Sequence, residues 1–128
     1  MILFRAFVEN LRPRQWTKNL LLFAGVIFAQ KLGETACVTR AALGAVVFCL
    51  ASGAVYIYND MVDLELDRLH PYKKKRPIAS GRFPRDAAVR SVIALAFLCL
   101  GAAWLLGPAF LGMVALFFLW NWLYTCLL

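Results

Sequence analysis

Four long runs of apolar residues limit what this chain can fold into more than any other feature of its sequence. A membrane-spanning helix needs about 20 predominantly apolar residues, because the hydrocarbon core of a bilayer is about 30 Å thick. The composition agrees, since 62% of the 128 residues are hydrophobic and only 16% are charged. We therefore predict an all-α fold, a polytopic transmembrane helix bundle in one domain, with spans at about 15–32, 41–66, 84–106 and 108–128.

Basic residues are unevenly distributed among the connections between these runs. The segment from Asp60 to Arg90 contains eight of them, whereas the turn at Gly107-Pro108 contains none. Lys and Arg in short loops stay on the cytoplasmic side during membrane insertion. We therefore predict that the N-terminus and the 60–86 loop are cytoplasmic, in a bacterial-type inner membrane. This asymmetry explains the net charge of +7, which does not point to a nucleic-acid partner.

One short segment after the second apolar run is acidic. Asp60, Asp63 and Asp67 are spaced i, i+3 and i+7, with Asn59 on the same side of a helix and Glu65 pointing away. No glycine or proline separates this segment from the second span, so we expect one continuous helix to run through it. The spacing therefore predicts three carboxylates on one helical face at the membrane edge.

A row of like charges beside lipid is unfavourable unless a cation is supplied. Mg²⁺ prefers oxygen ligands and usually combines one or two carboxylates with phosphate oxygens and waters. We therefore predict that Asp60, Asp63 and Asp67 hold Mg²⁺ together with a phosphorylated substrate. A single histidine and four dispersed cysteines offer no comparable zinc site.

A basic group follows the acidic segment directly in the sequence. Lysine contributes a point charge to phosphate binding and arginine a planar fork of donors. An acidic segment followed by a basic one fits a site for a metal ion and a diphosphate. The alternative is a solvated loop at 68–83 whose positive charge only fixes the orientation of the chain in the membrane. The basic residues of the group are Arg68, Lys73, Lys74, Lys75, Arg76 and Arg82.

Three motifs in the sequence resemble a known family. The motif Asn-Asp-x-x-Asp-x-x-x-Asp at 59–67 is similar to the first aspartate-rich motif of the UbiA-type prenyltransferase superfamily. Two longer strings resemble the branch of that superfamily that transfers a phosphoribosyl group. They are Asp-Arg-x-His-Pro-x-Lys-x-x-Arg-Pro-Ile-Ala-Ser-Gly at 67–81 and Leu-Arg-Pro-Arg-Gln-Trp-Thr-Lys-Asn at 11–19.

The resemblance implies a reaction and a role for each motif. Phosphoribosyl diphosphate would lose its diphosphate as an oxygen of a polyprenyl phosphate attacks the anomeric carbon, with Mg²⁺ as cofactor. Asp60 and Asp63 would be the catalytic metal ligands. The rest of the implied site is Asn59 and Asp67 on the metal, and Lys18, Arg68, Lys73 and Arg76 on the phosphates of the substrate.

The chain departs from the family pattern in length. The resemblance implies a bundle of about nine transmembrane helices with a second aspartate-rich motif. This sequence has only four apolar runs and no second acidic cluster. We therefore expect the N-terminal part of one transmembrane domain, with the missing C-terminal half of the bundle and membrane lipid as its partners. We also expect the chain to be inactive by itself.

Two other interpretations remain open at this point. A related prenyltransferase that acts on an aromatic acceptor would share the metal chemistry and transfer the isoprenoid itself. A non-catalytic basic membrane protein would bind anionic lipid through its lysine-rich loop. The second alternative gives no role to the aspartates.

Overall fold

The computed structural model describes residues 1–16 and 33–127, and these residues form helices joined by short connections. No strand occurs in these two ranges, so the predicted all-α fold is confirmed. The elements in chain order are α1 (Ile2–Asn10), α2 (Thr35–Val62), α3 (Leu64–Leu69), a 3-10 helix (Lys73–Lys75), α4 (Arg85–Leu106) and α5 (Pro108–Leu127).

Three helices of the described ranges are long and apolar enough to cross a membrane. They are α2, α4 and α5, with 28, 22 and 20 residues. The structure thus describes three spans where the sequence predicted four, because the first predicted span, 15–32, lies outside the described residues from position 17 onward. The ends of α4 and α5 match the predicted spans 84–106 and 108–128 within a residue or two.

The second span differs from its prediction at both ends. Helix α2 begins at Thr35 rather than at 41, and it stops at Val62. Asp63 has φ −87° and ψ 8°, which ends α2 and serves as the N-cap of α3. The expectation of one continuous helix through the acidic segment is therefore wrong at Asp63. The backbone stays helical on both sides of this break.

Helices α2, α4 and α5 pack through small or slender side chains. Ala51, Cys99, Ala103 and Val114 are at most 1% exposed and form the centre of this contact. Helices α4 and α5 make the antiparallel hairpin that their short turn predicts, with Gly107 in that turn at φ +133°. Most of the outer surface of these two helices stays exposed in the chain.

The loop at 68–83 is only partly exposed, so the alternative of a loop solvated throughout does not hold for its buried residues. Ile78 and Phe83 are only 3% and 4% exposed. They pack in one cluster with α1 and α2, and the Phe7 and Phe83 rings lie 6.3 Å apart. Sequence analysis also missed α1 itself. The helix is amphipathic, and its first four residues are exposed. Together α1 and the loop cover one end of α2.

Candidate active site at the end of the long helix

Two of the predicted metal ligands meet at the end of α2. Asp60 in the last turn of α2 and Asp67 in α3 are each 3% exposed. Arg76 lies between them, and its Nη1 donates to Asp60 Oδ1 at 3.1 Å and to Asp67 Oδ2 at 3.0 Å. One guanidinium nitrogen therefore joins two buried carboxylates, and the structure brings Asp60 and Asp67 together with Arg76.

A second arginine reaches Asp60 from the N-terminal segment. Arg12 Nη2 donates to Asp60 Oδ1 at 2.7 Å, the shortest ion pair among the described residues. Its guanidinium also stacks over the Tyr56 ring, 4.6 Å from the ring centre. Arg12 has φ +50°, an unfavourable backbone angle for a residue with a side chain. Such strained residues cluster at functional sites, because the surrounding contacts must hold them in place.

Charge balance explains why the two arginines are needed. A buried carboxylate loses its hydration, and removing its partner leaves an uncompensated charge that costs about 3–5 kcal/mol. Asp60 is also repelled by the nearby charges of Asp67 and Asp63. Two guanidiniums supply the positive charge that the sequence analysis had assigned to a metal ion. The buried acidic pair is thus neutralised by the chain's own residues.

Asp63 does not join this group. It is exposed at the break between α2 and α3, whereas Asp60 and Asp67 are buried. The described residues contain no group of three His, Cys, Asp or Glu side chains arranged to hold a metal ion. The predicted arrangement of three carboxylates on one face is therefore wrong for Asp63. Glu65 is exposed, as the spacing predicted.

Asn59 faces a different neighbour. Its side-chain Oδ1 lies 2.6 Å from the Thr125 hydroxyl near the end of α5. Asn59 and Asp63 are one helical turn apart, since the Asp63 amide donates to the Asn59 carbonyl at 2.9 Å. The predicted ligand set is therefore split between two directions. Asp60 and Asp67 meet the arginines, and Asn59 meets α5.

The predicted phosphate-binding residues lie in different environments. Arg76 is at the centre of the site. Arg68 is exposed and pairs with Glu65 at 3.4 Å, and Lys73 is exposed in the 3-10 helix. Lys18 lies outside the described residues. Arg68 and Lys73 thus lie on the exposed side of the loop rather than against the carboxylates.

The loop holds Arg76 in place by backbone hydrogen bonds. The Ser80 amide donates to the Arg76 carbonyl at 2.8 Å, and the Phe83 amide donates to the Pro77 carbonyl at 3.0 Å. Arg82 ties the same turn to α1 through two hydrogen bonds to the Glu9 carboxylate, at 3.1 and 3.3 Å. The motif that ends in Ser80 and Gly81 is therefore a scaffold that aims Arg76 at the acidic pair.

The donor set fits a magnesium ion through two carboxylates. The arginines contact Asp60 Oδ1 and Asp67 Oδ2, so neither guanidinium takes up the second oxygen of either carboxylate. Two carboxylates are what Mg²⁺ usually takes from a protein when phosphate oxygens and waters supply the rest. Asp60 and Asp67 are the residues that would hold the ion in this structure.

An apolar groove lies between the membrane helices. It has a volume of about 390 Å³ and lies between α2, α4 and α5. Tyr58 and Asn121 line the groove near the polar end, and Ala96 and Leu100 line it further along α4. A groove of this composition suits a hydrocarbon chain rather than a sugar.

Sequence analysis missed two residues of this site. Arg12 was visible within the motif at 11–19, but its distance of 48 positions from Asp60 hides the contact. Thr125 was hidden among the apolar residues of the last span. For Arg12, the available signal was the motif at 11–19, in which an arginine and a proline precede the first predicted span. For Thr125 the sequence offers no signal.

The fold and the site together define a polytopic helical membrane protein with a buried, arginine-paired carboxylate site at one end of its longest helix. A sequence model of the UbiA prenyltransferase family matches residues 19–128. The chain therefore belongs to the UbiA prenyltransferase family, as its motifs indicated.

Individual relatives are similar over most of this chain. The decaprenyl-phosphate phosphoribosyltransferase of Mycobacterium tuberculosis is 40% identical over 105 residues, covering 79% of this chain and 35% of that protein. The protein of the same name from Corynebacterium glutamicum is 38% identical over 100 residues, covering 77% and 30%. The nodulation protein NoeC of Azorhizobium caulinodans is 37% identical over 77 residues, covering 60% and 25%. The chain spans about a third of the length of the first two relatives.

Proposed function

We propose that this chain supplies the Mg²⁺ and diphosphate site of a phosphoribosyltransferase. The enzyme would transfer a phosphoribosyl group from phosphoribosyl diphosphate to a polyprenyl phosphate, and diphosphate would leave. The observation that carries the proposal is the buried pair Asp60 and Asp67 joined by Arg76. The names of the two most similar relatives described above support the choice of substrates.

Each residue of the site has a defined part in this reaction. Asp60 and Asp67 would hold Mg²⁺, which would neutralise the charge that develops on the departing diphosphate. Arg76 and Arg12 neutralise the same carboxylates before the ion binds. The guanidinium hydrogens of Arg12 and Arg76 that do not point at the carboxylates would be available to phosphate oxygens. Arg68, exposed on the same side of the chain, attracts the anionic sugar phosphate.

The acceptor supplies the nucleophile in this reaction. An oxygen of the polyprenyl phosphate forms the new bond to the anomeric carbon while the bond to diphosphate breaks, so no nucleophilic side chain is required. The apolar groove lined by Tyr58 offers a place for the isoprenoid chain between the membrane helices. Because the sugar donor is soluble, we place the site at the cytoplasmic face of a bacterial inner membrane.

Membrane lipid and further transmembrane helices are the proposed partners of the exposed faces of α4 and α5. Trp104 and Leu105 are 69% and 82% exposed, and Trp120 is 71% exposed. Side chains of this kind are stable only against lipid or another helix. We propose that the complete active site forms within such a larger bundle and that the chain by itself does not turn over substrate.

A chimeric enzyme tests this function. The chain would replace the matching N-terminal third of the Mycobacterium tuberculosis relative, and transfer of label from phosphoribosyl diphosphate to decaprenyl phosphate would be measured. We expect activity that requires Mg²⁺ and falls about 100-fold in Asp60→Asn or Asp67→Asn, since each removes a metal ligand. Glu65→Gln is the matched control on the same segment and should stay within about twofold of the parent chimera.

Three outcomes would contradict the proposal. The first is activity that survives chelation of divalent ions, and the second is an Asp60→Asn chimera as active as the parent. The third is transfer of the isoprenoid to an aromatic acceptor in place of phosphoribosyl transfer. Binding of the chain to anionic vesicles with no turnover by the chimera would favour a lipid-binding protein.

A further inference from the structure

Helix α1 packs against the rest of the chain through one face and leaves the opposite face open. Ala6 and Asn10, one turn apart on the packed face, are each 1% exposed. Phe4 and Val8 are also one turn apart and lie on the opposite face, where Phe4 is 71% exposed. Within the part of the chain that the structure describes, α1 therefore keeps an apolar side that is largely uncovered.

A cleft with a volume of about 950 Å³ lies between this apolar side of α1 and the segment at 12–15 that follows the helix. Arg5 and Arg14 line the cleft together with Phe4 and Val8. Both arginines are exposed, and neither forms an ion pair with an acidic side chain of the described residues, which include all seven acidic residues of the chain. Two cations without counterions thus border an apolar surface.

The other charged residues of the cleft already have partners. Arg12 donates to Asp60, and the Glu9 carboxylate accepts from Arg82. The positive charge that remains in the cleft belongs to the two unpaired arginines, so an anion complements it. The apolar side of α1 asks for a second property in the same ligand, because it is covered best by hydrocarbon.

The contacts of α1 fix its level relative to the membrane spans. Leu11, which directly follows α1, contacts α2 at Gly53, seven positions before Asp60. Seven residues of helix correspond to about 10 Å along its axis. On the loop side, Phe7 packs against Phe83, two positions before the first residue of α4. Helix α1 therefore lies where α2 and α4 enter the bilayer, at the level of the lipid headgroups.

We propose that the cleft between α1 and the segment at 12–15 binds an anionic phospholipid, with the lipid phosphate at Arg5 and Arg14 and the upper acyl chain against Phe4 and Val8. Helices with apolar side chains beside arginines lie in the headgroup region in this way, and basic residues there attract anionic lipid. Nine residues make a helix that is marginal by itself, but α1 is already anchored on α2. The inference does not depend on transferase activity, because the buried acidic pair takes no part in it.

Photocrosslinking from position 4 tests whether lipid occupies the cleft. Benzoylphenylalanine, which keeps an aromatic ring at this position, would replace Phe4 in the full chain. The protein would be irradiated in nanodiscs of phosphatidylglycerol and phosphatidylcholine, and mass spectrometry would identify the adducts. We expect phosphatidylglycerol adducts in excess over the share of this lipid in the bilayer. Absence of lipid adducts, or adducts in the same proportion as the bilayer, would overturn the proposal.

Substitution of the arginines tests the charge of the cleft. We expect Arg5→Gln combined with Arg14→Gln to lower the ratio of phosphatidylglycerol to phosphatidylcholine adducts about fivefold. The matched control is Arg85→Gln combined with Arg90→Gln, which removes the same charge at the start of α4, outside the cleft. This control should stay within about 1.5-fold of the parent, because exposed charges act only over short distances in salt.

Two further results would also overturn the proposal. An equal fall in both double variants would show a general attraction of the basic protein surface for anionic lipid. Loss of the lipid adducts on addition of inorganic phosphate would show a site for a soluble anion.

Discussion

At the scale of single residues, the site depends on one arginine that serves two carboxylates at once and on a second that serves one of them. Arg76 uses one nitrogen for Asp60 and Asp67, and Arg12 adds a second cation at Asp60. Lysine would not reproduce Arg12 fully, because its ammonium lacks the planar guanidinium that lies over the Tyr56 ring. The short distances and the burial of both aspartates indicate that these pairs are specific contacts.

Replacing Arg76 by a neutral residue should destabilise the chain measurably. We expect Arg76→Gln to lower the free energy of unfolding by about 3 kcal/mol, since it leaves two buried carboxylates with less positive charge. Reversible unfolding in lipid bicelles would measure the loss. Glu65→Gln breaks an exposed pair instead and should cost about 0.5 kcal/mol or less. Equal effects of the two substitutions would show that the Arg76 contacts contribute nothing specific.

Addition of Mg²⁺ to the Arg76→Gln variant tests whether the two carboxylates that Arg76 neutralises also bind a divalent ion. If Asp60 and Asp67 accept a divalent ion, Mg²⁺ should restore part of the stability that Arg76→Gln loses, because binding to the folded state stabilises it. Absence of any such recovery would argue against metal binding at this pair.

Sequence alone identified part of this site and missed the rest for a physical reason. The i, i+3, i+7 spacing is a local property, so Asp60 and Asp67 were placed on one side correctly. Arg12 was assigned no role at Asp60, because nothing local links positions 48 residues apart. Asp63 was misplaced because α2 ends there, and the spacing of the aspartates does not reveal a helix end at which that residue stays exposed.

At the scale of elements, close packing depends on one glycine in α2. A Cβ atom added at Gly53 would collide with the Leu11 side chain and would lie 3.4 Å from the Leu11 Cα. Leu11 directly precedes Arg12, so the approach at Gly53 also sets the position of an arginine of the site. The N-terminal segment is thus held against α2 at a point where a Cβ atom on residue 53 would require the Leu11 side chain to move.

Substitution of Gly53 by alanine should destabilise the chain, whereas the same substitution at Gly101 should not. We expect Gly53→Ala to destabilise the chain by about 1–3 kcal/mol, since Leu11 must move. Gly101→Ala in α4 meets open space and should be neutral or stabilising, because alanine favours a helix more than glycine does. Unfolding in bicelles would compare the two variants. Leu11→Ala in the Gly53→Ala background should recover part of the loss, and strict additivity would contradict this account.

Helix boundaries were predictable where a proline or a glycine in the sequence marks them. Pro84 precedes α4, and Gly107 with Pro108 separates α4 from α5, so the predicted ends agree with the structure. Both residue types restrict the backbone locally. Burial of Ile78 in the loop depends instead on distant partners in α1 and α2, which apolar periodicity along the loop does not show.

At the scale of the whole molecule, the positive charges predict one orientation in the membrane. Gly33 and Lys74 are exposed and would lie on opposite sides of the bilayer. In a variant without native cysteines, we expect Gly33→Cys to react with a membrane-impermeant maleimide on intact cells. Lys74→Cys should react only after the membrane is permeabilised. The reverse pattern would place the site outside the cell and away from a soluble cytoplasmic donor.

The contacts between the N-terminal segment and the rest of the chain have a consequence for biosynthesis. Arg12 is 48 positions from Asp60, and Glu9 is 73 positions from Arg82. The ribosome releases α1 first, so this helix must wait without its partners while the later residues are still being translated. Its anchoring on α2 can therefore form once Asp60 has emerged, and its contact with the loop only after the polypeptide through Arg82 has emerged.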